Sequence, residues 1–184
     1  MSLIPETRSP KASLELLKTK IRHVPDFPKP GILFYDITTL LRDREGFGQV
    51  VEVLARPYIQ KPVDLVVGIE SRGFILGGAL ADRLGVGFSP VRKPGKLPSR
   101  TVRETYDLEY GTDCLEMHDD AVQRGQQVLI VDDVIATGGT AKATAALVRK
   151  LGGEVVGLAF LIELLALNGR SKLTGENIYT VLQY

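Results

Sequence analysis

Residues 128–140 read VLIVDDVIATGGT. Asp132 and Asp133 are adjacent carboxylates, acceptor-only groups that suit a vicinal diol or a hydrated divalent cation. Just downstream, Ala136, Thr137, Gly138, Gly139 and Thr140 offer backbone N–H groups, two hydroxyls and two positions without a side chain. That composition lets a phosphate approach the backbone closely. Two acids would repel the same phosphate, so the halves of the string must address different parts of one ligand. A sugar diol with a phosphate nearby meets both demands. The string is not a Walker loop, which needs Gly-Lys-Ser/Thr, and it lacks the G-x-G-x-x-G of a dinucleotide site.

Two further stretches carry anion chemistry. GIESRG (68–73) places Glu70, Ser71 and Arg72 among small residues, and a guanidinium can take two phosphate oxygens at once. By itself that string leaves open an Arg72 paired with Glu70 or with a surface acid. KPGKLPSRTVRETYDLEYG (93–111) holds two prolines, Lys93, Lys96, Arg100 and Arg103, and no sustained period. Arg92 precedes it. A long irregular stretch in an α/β domain is expected to be a functional lid, although Lys93 and Lys96 also fit a solvated surface.

These residues need strands and helices to hold them. Leu14, Leu17 and Ile21 predict a helix over 13–22, which PDFPKPG (25–31) breaks. Phe47, Val50, Val51 and Leu54 predict a second over 46–59. Buried strands are expected at 63–69, 86–91, 128–131, 154–162 and 178–183, with helices over 73–84 and 139–151. Strands alternating with helices imply parallel pairing and an α/β fold. Ligands of such sheets sit beyond the carboxyl ends of the strands. GIESRG and the two acids both fall there.

The 184 residues suffice for one domain with its own core. Lys and Arg total 23 against 22 Asp and Glu, a net charge of +1. Such a balance argues against a nucleic acid or an acidic membrane as partner. The single cysteine, Cys114, permits no internal disulfide and suits a reducing compartment. No stretch is apolar enough for a membrane span, and MSLIPETRSP lacks a signal-peptide core. A cytoplasmic protein is expected.

LIVDDVIATGGT closely resembles the signature of the type I phosphoribosyltransferases, which use 5-phosphoribosyl-1-pyrophosphate (PRPP). FPKPGILFYDITTLL (27–41), GIESRGFILG (68–77), RKPGKLP (92–98) and DLEYGTDCLEMH (107–118) look like blocks of the adenine-specific members. The resemblance implies a mostly parallel sheet flanked by helices, forming a single domain over 1–184. An N-terminal hood over 1–35 and a flexible catalytic lid over 93–111 would complete it.

In that family the paired acids hold the ribose hydroxyls, and the Ala136–Thr140 turn holds the 5-phosphate. Glu70, Ser71 and Arg72 form the pyrophosphate loop, whose peptide at Glu70–Ser71 is commonly strained. Arg92, Lys93 and Lys96 add charge, and Tyr110 steadies the lid. Glu109 is the implied acid/base near N7, with Arg72 taking leaving-group charge. Phe34 and Leu164 would sandwich adenine, and backbone groups around Leu33 would read its N6 and N1. Tyr35 stands where many members carry Arg, so a cationic contact to base or lid is not expected. Mg²⁺ bound through PRPP, a homodimer and AMP formation in purine salvage complete the implication. Transfer to hypoxanthine, guanine, xanthine or orotate, a PRPP-sensing regulator without catalysis, and a phospho-acceptor receiver domain are the alternatives.

Overall fold

The computed structural model describes residues 10–107 and 111–184. The chain divides into two compact units, Met1–Val50 and Val51–Tyr184.

The first unit begins with α1 (Pro10–Thr19) and continues through the antiparallel pair β1 (Arg22–Pro25) and β2 (Leu33–Asp36) to α2 (Thr38–Leu41). The helix expected to reach residue 22 stops at Thr19. Lys20 and Ile21 close a tight turn onto the Leu17 and Lys18 carbonyls, so Ile21 is buried beyond the helix. PDFPKPG, expected to break the helix, instead follows β1 and turns the β1–β2 hairpin. Asp26 there has φ 57°, and its carboxylate accepts the Gly31 N–H at 2.8 Å. Across the hairpin Phe27 meets Phe34 edge to face, 5.1 Å between centroids. Four-residue strands on such a small ribbon carry too few alternations to register as a period.

The unit boundary falls inside α3 (Arg44–Ala55), four residues shorter than expected at its end. The second unit then runs β3 (Leu65–Ile69), α4 (Gly73–Leu84), β4 (Gly87–Val91), β5 (Thr101–Asp107), β6 (Thr112–His118), β7 (Gln127–Ile135), α5 (Gly139–Lys150), β8 (Glu154–Glu163) and β9 (Ile178–Gln183). Two short 3₁₀ turns join β8 to β9. The five strands β4-β3-β7-β8-β9 form one all-parallel sheet in that order. Leu65, Val67, Ile69, Val128 and Ile130 face a core built with Leu147 and Val148 of α5 and Leu115 and Met117 of β6. The alternate residues Val66, Leu129 and Val131 are equally buried, and α4 packs against the same strands.

Connections from β3 run through α4 outward to β4, whereas those from β7 run through α5 the other way to β8. Adjacent strands whose connections part in this way leave a crevice at their carboxyl ends. That crevice lies between the loop after β3 and the end of β7.

Two expectations need correcting. The 93–111 segment is not irregular throughout, because β5 pairs antiparallel with β6 over the whole register Thr101↔His118 to Asp107↔Thr112. Partners downstream supply those hydrogen bonds, and no apolar period in the segment announces them. The buried strand expected to end at residue 131 continues to Ile135, so Asp132 and Asp133 lie within it. Pairing with β3 ends at Val131, while pairing with β8 carries on through Ile135.

Candidate active site

The turn after β7 is shaped by Gly138, which caps α5 with φ 77° and ψ −3°. A Cβ there would come 2.3 Å from the Gly169 carbonyl oxygen, so a side chain is excluded on two counts. No side chain caps α5. The N–H groups of its first turn thus remain for a ligand, at the end of the helix that favours negative charge.

Immediately upstream, Asp132 is 9% and Asp133 6% exposed. The Asp133 N–H donates to Asp132 Oδ1 at 2.8 Å. The first turn of α4 also reaches this carboxylate, for a Cβ on Gly73 would fall 2.8 Å from Asp132 Oδ1. Burial, with the neighbouring Asp133 adding to it, pushes the Asp132 carboxyl well above its usual range. Asp133 has a cationic partner: Arg72 Nε donates to its Oδ2 at 2.5 Å.

Glu70, the neighbour that the sequence offered to Arg72, receives Arg92 at 3.2 and 3.3 Å and the Lys93 N–H at 3.0 Å. Burial raises the Glu70 pKa, but these donors outweigh it and the net shift is downward. The Glu70–Ser71 peptide is cis. Arg92 also donates to the Lys96 carbonyl at 3.0 Å. Lys93 Nζ is bound to Asp113, to which the Tyr106 hydroxyl donates at 3.1 Å. Burial pulls the Lys93 pKa down, yet Asp113 and Tyr106 together leave it raised.

One cavity of about 200 Å³ joins these pieces. Asp132, Ala136, Thr137, Gly138 and Thr140 line it together with Glu70 and Lys93. Asp133, Gly139, Ser71, Arg72, Arg92 and Lys96 are not among the residues that line it. Leu33, Phe34 and Tyr35 lie on β2 of the first unit. Leu164 follows β8 in the second and donates its N–H to the Ile135 carbonyl at 3.0 Å. Glu109 and Tyr110 fall outside the described residues.

Sequence reasoning missed Tyr106, Asp113 and Glu116. Glu116 is 1% exposed, accepts the Gly95 N–H at 3.0 Å and has Arg103 Nε at 2.5 Å, which ties the basic segment to β6. Its signal was an acid between Leu115 and Met117, and only the tertiary structure reveals those two as core.

Residues 39–180 match the family described as the phosphoribosyl transferase domain. The chain is also 61% identical to the adenine phosphoribosyltransferase of Acidobacterium capsulatum, over 92% of this chain and 94% of the relative. The chain belongs to the adenine phosphoribosyltransferase family. It is therefore a transferase with the type I phosphoribosyltransferase fold. The adenine phosphoribosyltransferase of Rhodothermus marinus superposes with a TM-score of 0.91 at 58% identity, covering 95% of this chain and 99% of that one. The Saccharomyces cerevisiae adenine phosphoribosyltransferase, solved with D-2,5-dideoxy-2,5-imino-altritol 1,6-bisphosphate and adenine, gives 0.88 at 40% identity, covering 94% and 99%.

Proposed function

We propose that this protein transfers the 5-phosphoribosyl group of PRPP to adenine, forming AMP and pyrophosphate in purine salvage. The observation that carries the reading is the single cavity at the switch point. There a desolvated carboxylate, an uncapped helix turn and Lys93 meet, as one ligand with a diol, a 5-phosphate and a pyrophosphate requires. Adenine as the base is supported by the family and by the adenine bound to the Saccharomyces cerevisiae relative.

On this reading Asp132 and Asp133 accept from the ribose 2- and 3-hydroxyls, and Ala136 to Thr140 hold the 5-phosphate. Glu70, Ser71, Arg72, Arg92, Lys93, Lys96 and Tyr110 serve the pyrophosphate side and its lid, within a 93–111 segment that closes over the site. Arg72 and Lys93 are each held by a carboxylate of the chain. Substrate binding exchanges those partners for phosphate oxygens. As C1 loses pyrophosphate, positive charge grows on the ribose and negative charge on the leaving group. The protein's part is positioning and electrostatic stabilisation. Glu109 handles the proton near N7, and a closed lid keeps water from the ribosyl centre. Phe34 of the hood (1–35) and Leu164 sandwich the base, Leu33 reads its edge through backbone groups, and Tyr35 stacks or donates one hydrogen bond beside it.

Mg²⁺ fits as a companion of the substrate. Among the described residues no group of three or more His, Cys, Asp or Glu side chains is arranged to hold a metal. Asp132 on the cavity wall, with Asp133 beside it, would help to hold an ion that arrives with the substrate. Bound there, Mg²⁺ would offset the charge of the pyrophosphate. A homodimer and a cytoplasmic location belong to the same proposal. No helix among the described residues is long and apolar enough to cross a membrane.

The test is AMP formation from PRPP and adenine, with hypoxanthine, guanine and xanthine assayed alongside. Turnover with adenine alone supports the reading. A preference for a 6-oxopurine would move the protein to another base, and PRPP binding without turnover of any base would make it a sensor.

A further inference from the structure

β8 ends on Glu163, whose side chain is only 6% exposed. Its carboxylate accepts four hydrogen bonds: from Arg170 Nε at 2.5 Å and Nη2 at 2.9 Å, from Thr180 Oγ1 at 2.9 Å, and from Gln183 Nε2 at 3.1 Å. Arg170 Nη1 and Nη2 reach on to the Ile178 carbonyl and the Thr180 hydroxyl of β9. The segment between Glu163 and Arg170 is thus closed at its ends by one two-pronged ion pair. Between these ends the Leu164 N–H donates to the Ile135 carbonyl at 3.0 Å and the Leu165 N–H to the Tyr184 carbonyl at 2.9 Å, and the remaining backbone bonds are those of two short 3₁₀ turns.

Two residues in that closed segment matter to the site. Leu164 comes directly after Glu163. Gly169 comes directly before Arg170 and lies backbone to backbone on the phosphate turn. A Cβ on Gly169 would come 2.3 Å from the Ala136 carbonyl oxygen, and one on Gly138 would come 2.3 Å from the Gly169 carbonyl oxygen. Main chains this close cannot shift independently.

We propose that Glu163 and Arg170 are positioning residues for the transfer reaction. Their pair holds one short segment that is a wall of the base site at Leu164 and the backing of the 5-phosphate turn at Gly169. It thereby sets the spacing between base and phosphate. The proposal rests on the assignments of Leu164 and of Ala136–Thr140 made above. A planar guanidinium fork is suited to this task, because two parallel hydrogen bonds to one carboxylate fix direction as well as distance. Such a pair does little for net stability, since the Arg170 side chain is 42% exposed and solvent screens much of the attraction. A role in placing what it closes accounts for its elaborate set of donors.

Steady-state kinetics of Arg170→Met tests it, with thermal unfolding measured in parallel. KM for adenine and KM for PRPP should both rise about 5-fold or more, while kcat at saturation stays within about 3-fold, since misplacement of walls weakens binding at both ends. Gly169→Ala should raise KM for PRPP more than KM for adenine. A pair that merely holds the fold together would lower Tm and leave both KM values at wild type, and that result overturns the proposal. Should Arg170→Met fail to fold, Arg170→Lys decides: it keeps the charge without the fork, and unchanged KM values there equally overturn the proposal. Leu164→Ala and Thr137→Ala check the underlying assignments. If neither changes its expected KM, the site reading itself fails. If both do and Arg170→Met does not, only the positioning role is lost.

Discussion

Asp132 holds its carboxyl where water is scarce. Its carboxyl is raised by burial and then by Asp133, so the folded chain keeps that proton to a higher pH than the unfolded chain does. The stability this confers is complete below the unfolded value of about 4 and is lost as pH rises through the folded value. As pH rises above the unfolded value, the raised carboxyl therefore disfavours the ligand-free fold. Asp132→Asn should raise the ligand-free Tm at pH 7, about 2–4 °C for each kcal/mol relieved, with the gain shrinking toward pH 4. The same variant should bind PRPP at least about tenfold more weakly by isothermal titration, for an amide is a poorer acceptor from the diol. A variant that melts lower yet binds normally would contradict both expectations. Glu109 is the other residue to probe. Glu109→Ala should lower kcat by about tenfold or more while PRPP affinity survives, and unchanged turnover would remove it from the mechanism.

Elements differ in how openly the sequence declares them. The helix over 73–84 and the strand over 178–183 match their expected bounds because each has a clear period and clear stops, Gly85 in the left-handed region ending the former. β5 gave no such warning. Its residues are mostly polar, and its hydrogen bonds come from β6. The phosphate turn lies between these cases. Its glycines suggested close approach of a ligand, but Gly138 is also needed because Gly169 presses on it. Gly138→Ala meets both the positive φ and that 2.3 Å contact. It should weaken PRPP binding at least about tenfold and lower Tm by several degrees, about 1–3 kcal/mol of backbone strain in a protein this size. Titration and thermal melts measure the two losses, and wild-type PRPP affinity would show that the turn tolerates displacement.

At the scale of the second unit, the sheet order decides where chemistry can happen. Only because β3 and β7 are neighbours does Glu70 share a cavity with Asp132. The far side of that sheet contributes the acid-sensitive tie between β8 and β9. Arg170 first, helped by Gln183 and Thr180, holds Glu163 down at about 2 against burial. With the folded value below the unfolded one of about 4, its contribution is fully present at higher pH and is lost as pH falls from about 4 through about 2. Glu163→Gln has nothing to lose over that window. Denaturant midpoints at pH 7, 4 and 3 should therefore fall less steeply for the variant than for wild type. Parallel slopes would mean that Glu163 is not among the groups driving acid unfolding.

The sequence by itself determined the α/β class, most strand and helix positions, and the chemical type of the site. Those features are written locally, in apolar periods and in the string VDDVIATGGT. Arg72 shows where local information ends: its sequence neighbour Glu70 was an available partner, yet the guanidinium lies on Asp133, 61 residues away. Glu116 and Arg170 are marked by nothing along the chain, only by their surroundings in space. Which strands adjoin, which carboxylate meets which cation and which glycine is pressed by a distant backbone were decided by tertiary structure. Such choices depend on who is close in space, and spacing along the chain does not encode that.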